Sequence, residues 1–128
     1  MRNVLLLDTH VVIWLLREPR RISDAVLERL SDPSNDVIAS AVNGLEISIK
    51  RKLGKLPPLP SDIRLACLQM GLRLIDVTFE DAAGVEALPL HHRDPFDRLL
   101  VSQARRMDAL LVSADEKLEP YDVKLLRP

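Results

Sequence analysis

Five acidic residues are placed where this sequence could do chemistry. Asp8 closes the apolar run Val4-Leu5-Leu6-Leu7, and Glu46 lies inside a stretch of helical periodicity. Asp94 and Asp97 bracket Pro95-Phe96, and Asp115 ends the run Leu110-Leu111-Val112-Ser113-Ala114. Each has an ordinary explanation. Asp8 can cap a helix starting near His10, and Asp115 a short turn at Glu116-Lys117-Leu118. Asp94 before Pro95 is a strong helix start, and Asp97 can complete the capping arrangement or favour the helix dipole. Glu46 can pair with Lys50 four residues on. Position favours chemistry for two of them. Glu46 shares a stripe with Val42, Ile49 and Leu53, and Asp97 aligns with Leu100, Val101 and Ala104, so both carboxylates are expected to face inward. An inward carboxylate is costly unless paired or bound to a cation.

Asp8 and Asp115 follow strand-like runs, and Glu46 and Asp97 lie on helices that follow strands. All four can therefore meet at one sheet edge. Two unit charges about 4 Å apart repel by roughly 4 kcal/mol at an effective dielectric of about 20, so four clustered carboxylates require a cation. Oxygen-only ligands select hard divalent ions, Mg2+ or Mn2+. Such an ion lowers the pKa of a water and neutralises a phosphate. The chemistry implied is phosphodiester hydrolysis.

The elements that must position these residues alternate between strand and helix. Asn3-Val4-Leu5-Leu6-Leu7 reads as a buried parallel strand, followed by a helix over 10–16 that Glu18-Pro19 closes. Ser23 caps a helix to about Leu30. Strands are expected at 36–39, 72–77, 109–112 and 123–126. Helices are expected at 41–53, ended by Gly54, after a Ser61 or Asp62 cap, at 78–88 and at 95–107. Leu56-Pro57-Pro58-Leu59-Pro60 is a stiff, extended linker. This order implies an α/β fold, one domain over residues 1–128, with a parallel sheet covered on both faces. In such sheets the active crevice lies beyond the carboxyl ends of the strands.

Bulk properties narrow the class. The chain has 128 residues, 47% hydrophobic and 29% charged, a globular composition with room for one core. A net charge of −1 means that any polyanion site is a local patch. One cysteine, Cys67, excludes an internal disulfide and fits a reducing compartment. Asp8 and His10 interrupt the longest apolar stretches, well short of about twenty residues, so no membrane span is expected. Arg2 with no cleavage site after the apolar run gives no signal peptide, and the expected setting is cytoplasmic.

Several other residues have two readings. Ser40 and Ser113 follow strands two and four, where their hydroxyls can support the acids or act as plain strand-end serines. Arg93 and Arg98 flank the acids and are candidates for holding phosphates; other basic groups, at Arg17/Arg20/Arg21, Lys50/Arg51/Lys52/Lys55 and Arg105/Arg106, fit a solvated face. His91 and His92 read as loop residues, since no His/Cys spacing indicates zinc. With only Trp14, Tyr121, Phe79 and Phe96 aromatic, base stacking is a small term. The first helix, Val11-Val12-Ile13-Trp14-Leu15-Leu16, is apolar all round. That predicts either a second surface facing a partner or unusually deep burial within one chain.

These segments resemble, in order and over nearly the whole chain, the PIN-domain proteins of the VapC toxin group. The resemblance rests on Leu5-Leu6-Leu7-Asp8-Thr9-His10 with Ile13-Trp14-Leu15-Leu16, and on Ala39-Ser40-Ala41-Val42 running on to Glu46-Ile47-Ser48-Ile49-Lys50. It continues in His92-Arg93-Asp94-Pro95-Phe96-Asp97-Arg98-Leu99-Leu100 and in Leu111-Val112-Ser113-Ala114-Asp115. It implies a parallel sheet of about five strands between helices. It further implies Mg2+- or Mn2+-dependent RNA cleavage, with Asp8, Glu46, Asp97 and Asp115 as metal-binding acids and Asp94 as an accessory. A small antitoxin and a homodimer are the implied protein partners. Where related sequences carry Ser and Trp before the acid, this chain has Asn43-Gly44-Leu45-Glu46. A helical Gly costs about 1 kcal/mol relative to Ala, so looser support of Glu46 is expected.

Rival readings fit less well. A receiver-type phosphoacceptor needs an adjacent acidic pair after the first strand, and an Asp-x-Asp phosphatase needs Asp where His10 stands. The alternative from another class is a catalytically weak PIN-like module that acts by binding in a regulatory complex.

Overall fold

The computed structural model describes residues 3–91 and 93–128, so the readings on Arg2 and His92 fall outside it. The chain order is β1 (Val4–Leu7), α1 (Thr9–Arg17), α2 (Asp24–Ser31), β2 (Asp36–Ser40), α3 (Ala41–Lys52), α4 (Ile63–Gln69), β3 (Arg73–Ile75), α5 (Phe79–Gly84), α6 (Pro95–Met107), β4 (Leu110–Val112) and β5 (Lys124–Leu126). Single 3-10 turns occupy Pro19–Arg21, Val85–Ala87 and Glu116–Leu118. The strands form one sheet in the order β3-β2-β1-β4-β5, every described pairing parallel. This is the α/β architecture expected, with the strand ending at Asp8 at its centre.

Side chains on β1 alternate between two cores, as a pleated strand requires. Leu5 and Leu7 join Val37, Ala39 and Val112 under α1, α2 and α4. Leu6 joins Ile38 and Leu111 under α3 and α6, against Val42, Leu100, Val101 and Ala104. Burial on both faces explains why the central strands read as continuous apolar runs. It also explains α1: Val11, Val12, Ile13 and Leu15 are buried, with Trp14 and Leu16 packed on the same core. Most of the apolar girth of this helix is thus covered within the chain, with Trp14 and Leu16 left partly exposed.

Two boundaries differ from the sequence reading. The strand expected over 72–77 pairs only over Arg73–Ile75, at the sheet edge, where ladder bonds come from one side. The helix expected over 78–88 stops at Gly84 and tightens into the Val85–Ala87 turn. A Cβ at Gly84 would collide with the Ser102 hydroxyl, so glycine here lets α5 sit close against α6. The proline linker is tied down by cations: Arg17 donates to the Pro58 carbonyl, and Arg51 to those of Pro60 and Ser61. Asp62, not Ser61, caps α4 through the Leu65 amide.

Strand succession steps from β1 to β2 and β3 on one side, then returns to β4 and β5 on the other. A crevice therefore opens beyond the carboxyl ends of β1 and β4. α3 starts at that edge because it follows β2 directly, and α6 starts there because it must run back before entering β4. The two helices pack against each other.

Candidate active site

Asp8 follows β1 immediately and caps α1, its Oδ1 accepting from the Val11 amide at 3.0 Å. Its Oδ2 accepts from the Ser113 hydroxyl. Ser113 in turn accepts from the Asp115 amide at 3.1 Å, so one hydroxyl joins the acid after β1 to the loop after β4. Asp8 is 3% exposed. Burial pushes its carboxyl above the ordinary range, against the pull of the Ser113 hydroxyl, the Val11 amide and His10, and the neighbouring Glu46 pushes it the same way. The capping role and the chemical role coexist: one oxygen serves the helix, and the whole group sits where charge is disfavoured without a cation.

Glu46 is 4% exposed on α3. The expected apolar stripe is only partly there, since Ile49 and Leu53 are 42% and 61% exposed. Glu46 faces inward with Val42, Asn43 and Ile47 instead, because α3 turns Ile49 and Leu53 outward. Its Oε2 meets Lys50 Nζ at 2.5 Å, the i+4 pair that was the plainer reading. Its Oε1 is buried with no hydrogen-bond partner among the described residues. Such an orphaned acceptor is expensive. Hydrogen bonding to Glu46 raises the Lys50 pKa despite partial burial, and the charges of Glu46, Asp94 and Asp97 raise it further. Glu46 thus holds the ammonium directly, while Asp94 and Asp97 act on it only through their charge.

Asp94 caps α6, its Oδ1 accepting from the amides of Phe96 at 2.8 Å and Asp97 at 3.3 Å with Pro95 in the first turn. Asp97 is half-buried in that turn, on the same helix as buried Leu100, Val101 and Ala104. Asp115 caps the Glu116–Leu118 turn through the Lys117 amide. Among the described residues no group of three or more Asp, Glu, His or Cys side chains is placed to hold a metal ion. The chemistry of Asp8 and Glu46 nevertheless suits a hard cation: two nearly buried carboxylates acting on each other, oxygens only, with one buried Glu46 oxygen unsatisfied.

The two serines differ. Ser113 supports Asp8, whereas Ser40 caps α3, its hydroxyl accepting from the Val42 amide at 3.1 Å. The two arginines differ as well. Arg98 is engaged by its own fold, donating to the carbonyls of Val85, Leu88 and Pro89 and to the Tyr121 hydroxyl, while Arg93 is exposed. His91 is exposed and packs edge-on to Tyr121.

Asn43 is a residue the sequence reading missed as a support. It is 2% exposed, its Oδ1 accepts from the Ser40 amide at 2.8 Å, and its Nδ2 donates to the Leu7 carbonyl and the Thr9 hydroxyl, each at 3.1 Å. One amide thereby fixes α3, one turn before Glu46, to the two residues on either side of Asp8, Leu7 and Thr9. The looser support expected from Asn43-Gly44-Leu45 is offset here. The Ser40-x-x-Asn43 spacing of a capping box was the available signal.

With that geometry in place, comparison with known proteins decides the family. The PIN domain family model matches residues 5–124. The chain belongs to the PIN domain family. Ribonuclease VapC22 of Mycobacterium tuberculosis (strain ATCC 25618 / H37Rv) is 28% identical over 121 residues, which cover 93% of this chain and 92% of that protein. Two solved structures share the fold of this PIN domain. VapBC2 from Rickettsia felis, bound to a DNA fragment from its promoter, superposes with a TM-score of 0.68 at 16% identity over 96% of this chain and 97% of the other. A toxin–antitoxin complex from Klebsiella pneumoniae gives 0.67 at 16% identity over 97% of each chain. Among the described residues no helix is long and apolar enough to cross a membrane.

Proposed function

We propose that this PIN domain is a Mg2+- or Mn2+-dependent endoribonuclease acting as the toxin of a type II toxin–antitoxin pair. The observation that carries the chemistry is Glu46: a buried carboxylate with one oxygen on an ammonium and the other unsatisfied, acting on the nearly buried Asp8. The relative named as a ribonuclease and the toxin–antitoxin structures of the same fold support the substrate and the setting. A small antitoxin, a homodimer and a cytoplasmic location follow from that reading.

Asp8, Glu46, Asp97 and Asp115 would hold the ion. When bound, the ion supplies charge neutralisation for the scissile phosphate and a lowered pKa for an attacking water. Ser113 keeps Asp8 oriented, as outer-shell partners of metal ligands do. Asp94 or Asp115 would take a proton from the water as it attacks phosphorus in line. The P–O3′ bond breaks and O3′ takes a proton from solvent, giving 5′-phosphate and 3′-hydroxyl ends. Arg93, exposed beside Asp94, holds a phosphate of the RNA backbone.

The test is cleavage of structured RNA after metal removal and replenishment. The wild type should cut only with Mg2+ or Mn2+, and Asp8→Asn and Asp97→Asn should each lose about a hundredfold or more while remaining folded. Full activity in both variants would remove the proposal. Binding without cleavage by the wild type would favour the binding-module alternative.

A further inference from the structure

Lys50 is the basic group that stands inside this acidic crevice. Its Nζ lies 2.5 Å from Glu46 Oε2, and it feels Asp94 and Asp97 as well. An i,i+4 Glu–Lys pair on a helix surface is worth only about 0.2–0.5 kcal/mol. This pair is unlike that one on two counts. Its carboxylate is nearly fully buried while the lysine side chain is one-third exposed, and the second carboxylate oxygen has no partner among the described residues. The ammonium therefore meets half of what Glu46 demands. A buried carboxylate needs positive charge, and an ammonium on one Glu46 oxygen repels a dication that arrives at the other.

We propose that Lys50 is a tethered counter-cation of Glu46 whose charge opposes a divalent ion arriving beside it, so that this lysine sets the metal affinity of the protein. The proposal rests on the metal-site reading above. The lysine holds Glu46 in place while no ion is bound and competes with the ion when one arrives. Its one-third exposure gives the stem a path towards solvent on release. Removing its charge should leave the site more negative and more avid for a dication.

The experiment uses the full chain, stripped of metal with EDTA and titrated calorimetrically with Mn2+ at neutral pH, alongside thermal unfolding in EDTA. Lys50→Met should bind Mn2+ about tenfold more tightly than the wild type and melt at a lower temperature in EDTA, a deficit that Mn2+ reverses. Lys50→Arg keeps the charge and should bind within about twofold of the wild type. Folded Lys50→Met with unchanged or weaker Mn2+ binding would overturn the proposal. If Lys50→Met does not fold in EDTA, Lys50→Gln takes its place in the same titration. If neither folds, the Mn2+ concentration that restores folding decides: below the wild-type dissociation constant it supports competition, above it the proposal falls. Asp97→Asn separates the two readings: Mn2+ binding that this change leaves intact would overturn the metal site itself, whatever Lys50 does.

Discussion

Asn43 shows how an uncharged side chain decides where two charged ones stand. Asp8 is fixed by the end of β1 and Glu46 by α3, and nothing in the sheet ladder alone sets the distance between them. The Asn43 amide does so, through the Leu7 carbonyl, the Thr9 hydroxyl and the Ser40 amide. Asn43→Ala leaves these buried groups short of a partner and should cost about 1–3 kcal/mol of stability. Denaturant unfolding should show this as a lower midpoint at an unchanged slope. A loss below about 0.5 kcal/mol would mean that water or a backbone shift replaces the amide. At this scale the acids were legible in the sequence because a carboxylate on an inward helix face is anomalous. Asn43 was not, because a buried Asn is recognised by the groups it reaches, here as far away in sequence as Leu7. Arg98 misled for the same reason: the carbonyls that engage it belong to a loop whose path the sequence does not specify.

The elements themselves were largely readable from local signals. Ser23, Asp62 and Asp94 each cap a helix at the position their type predicts, and Gly54 follows the last turn of α3 with a φ of 68°. What local signals did not give is depth. Most of the apolar girth of α1 is matched by the core beneath it, whereas Leu45, Ile49 and Leu53 leave α3 with an exposed apolar edge beside the acids. The stripe read through Glu46 mixed an inward residue, Val42, with the outward Ile49 and Leu53. Gly44 belongs to this scale too. It lies inside α3, and a Cβ there would meet nothing within 4 Å. Gly44→Ala should therefore stabilise the protein by about 0.5–1 kcal/mol, by reducing the freedom of the unfolded chain. Thermal unfolding checks it: a raised melting temperature agrees, and a lowered one would show that α3 needs the glycine for a contact absent from the isolated chain.

The whole molecule ties the site to its topology. β1 lies at the centre because the chain builds first to one side of it and then to the other, and that reversal opens a crevice beyond the ends of β1 and β4. A net charge of −1 says nothing of where charge sits: Asp8 and Glu46 are buried near each other, with Lys50 on Glu46. The sequence disclosed that pairing only as scattered acids. Its cost becomes visible once folding buries Asp8 and Glu46 together. The most direct measurement is the anomalous scattering of Mn2+ in crystals of the wild-type protein. A peak bound by carboxylate oxygens of Asp8, Glu46 and Asp97 is the predicted result. An empty crevice at saturating Mn2+ would contradict the account.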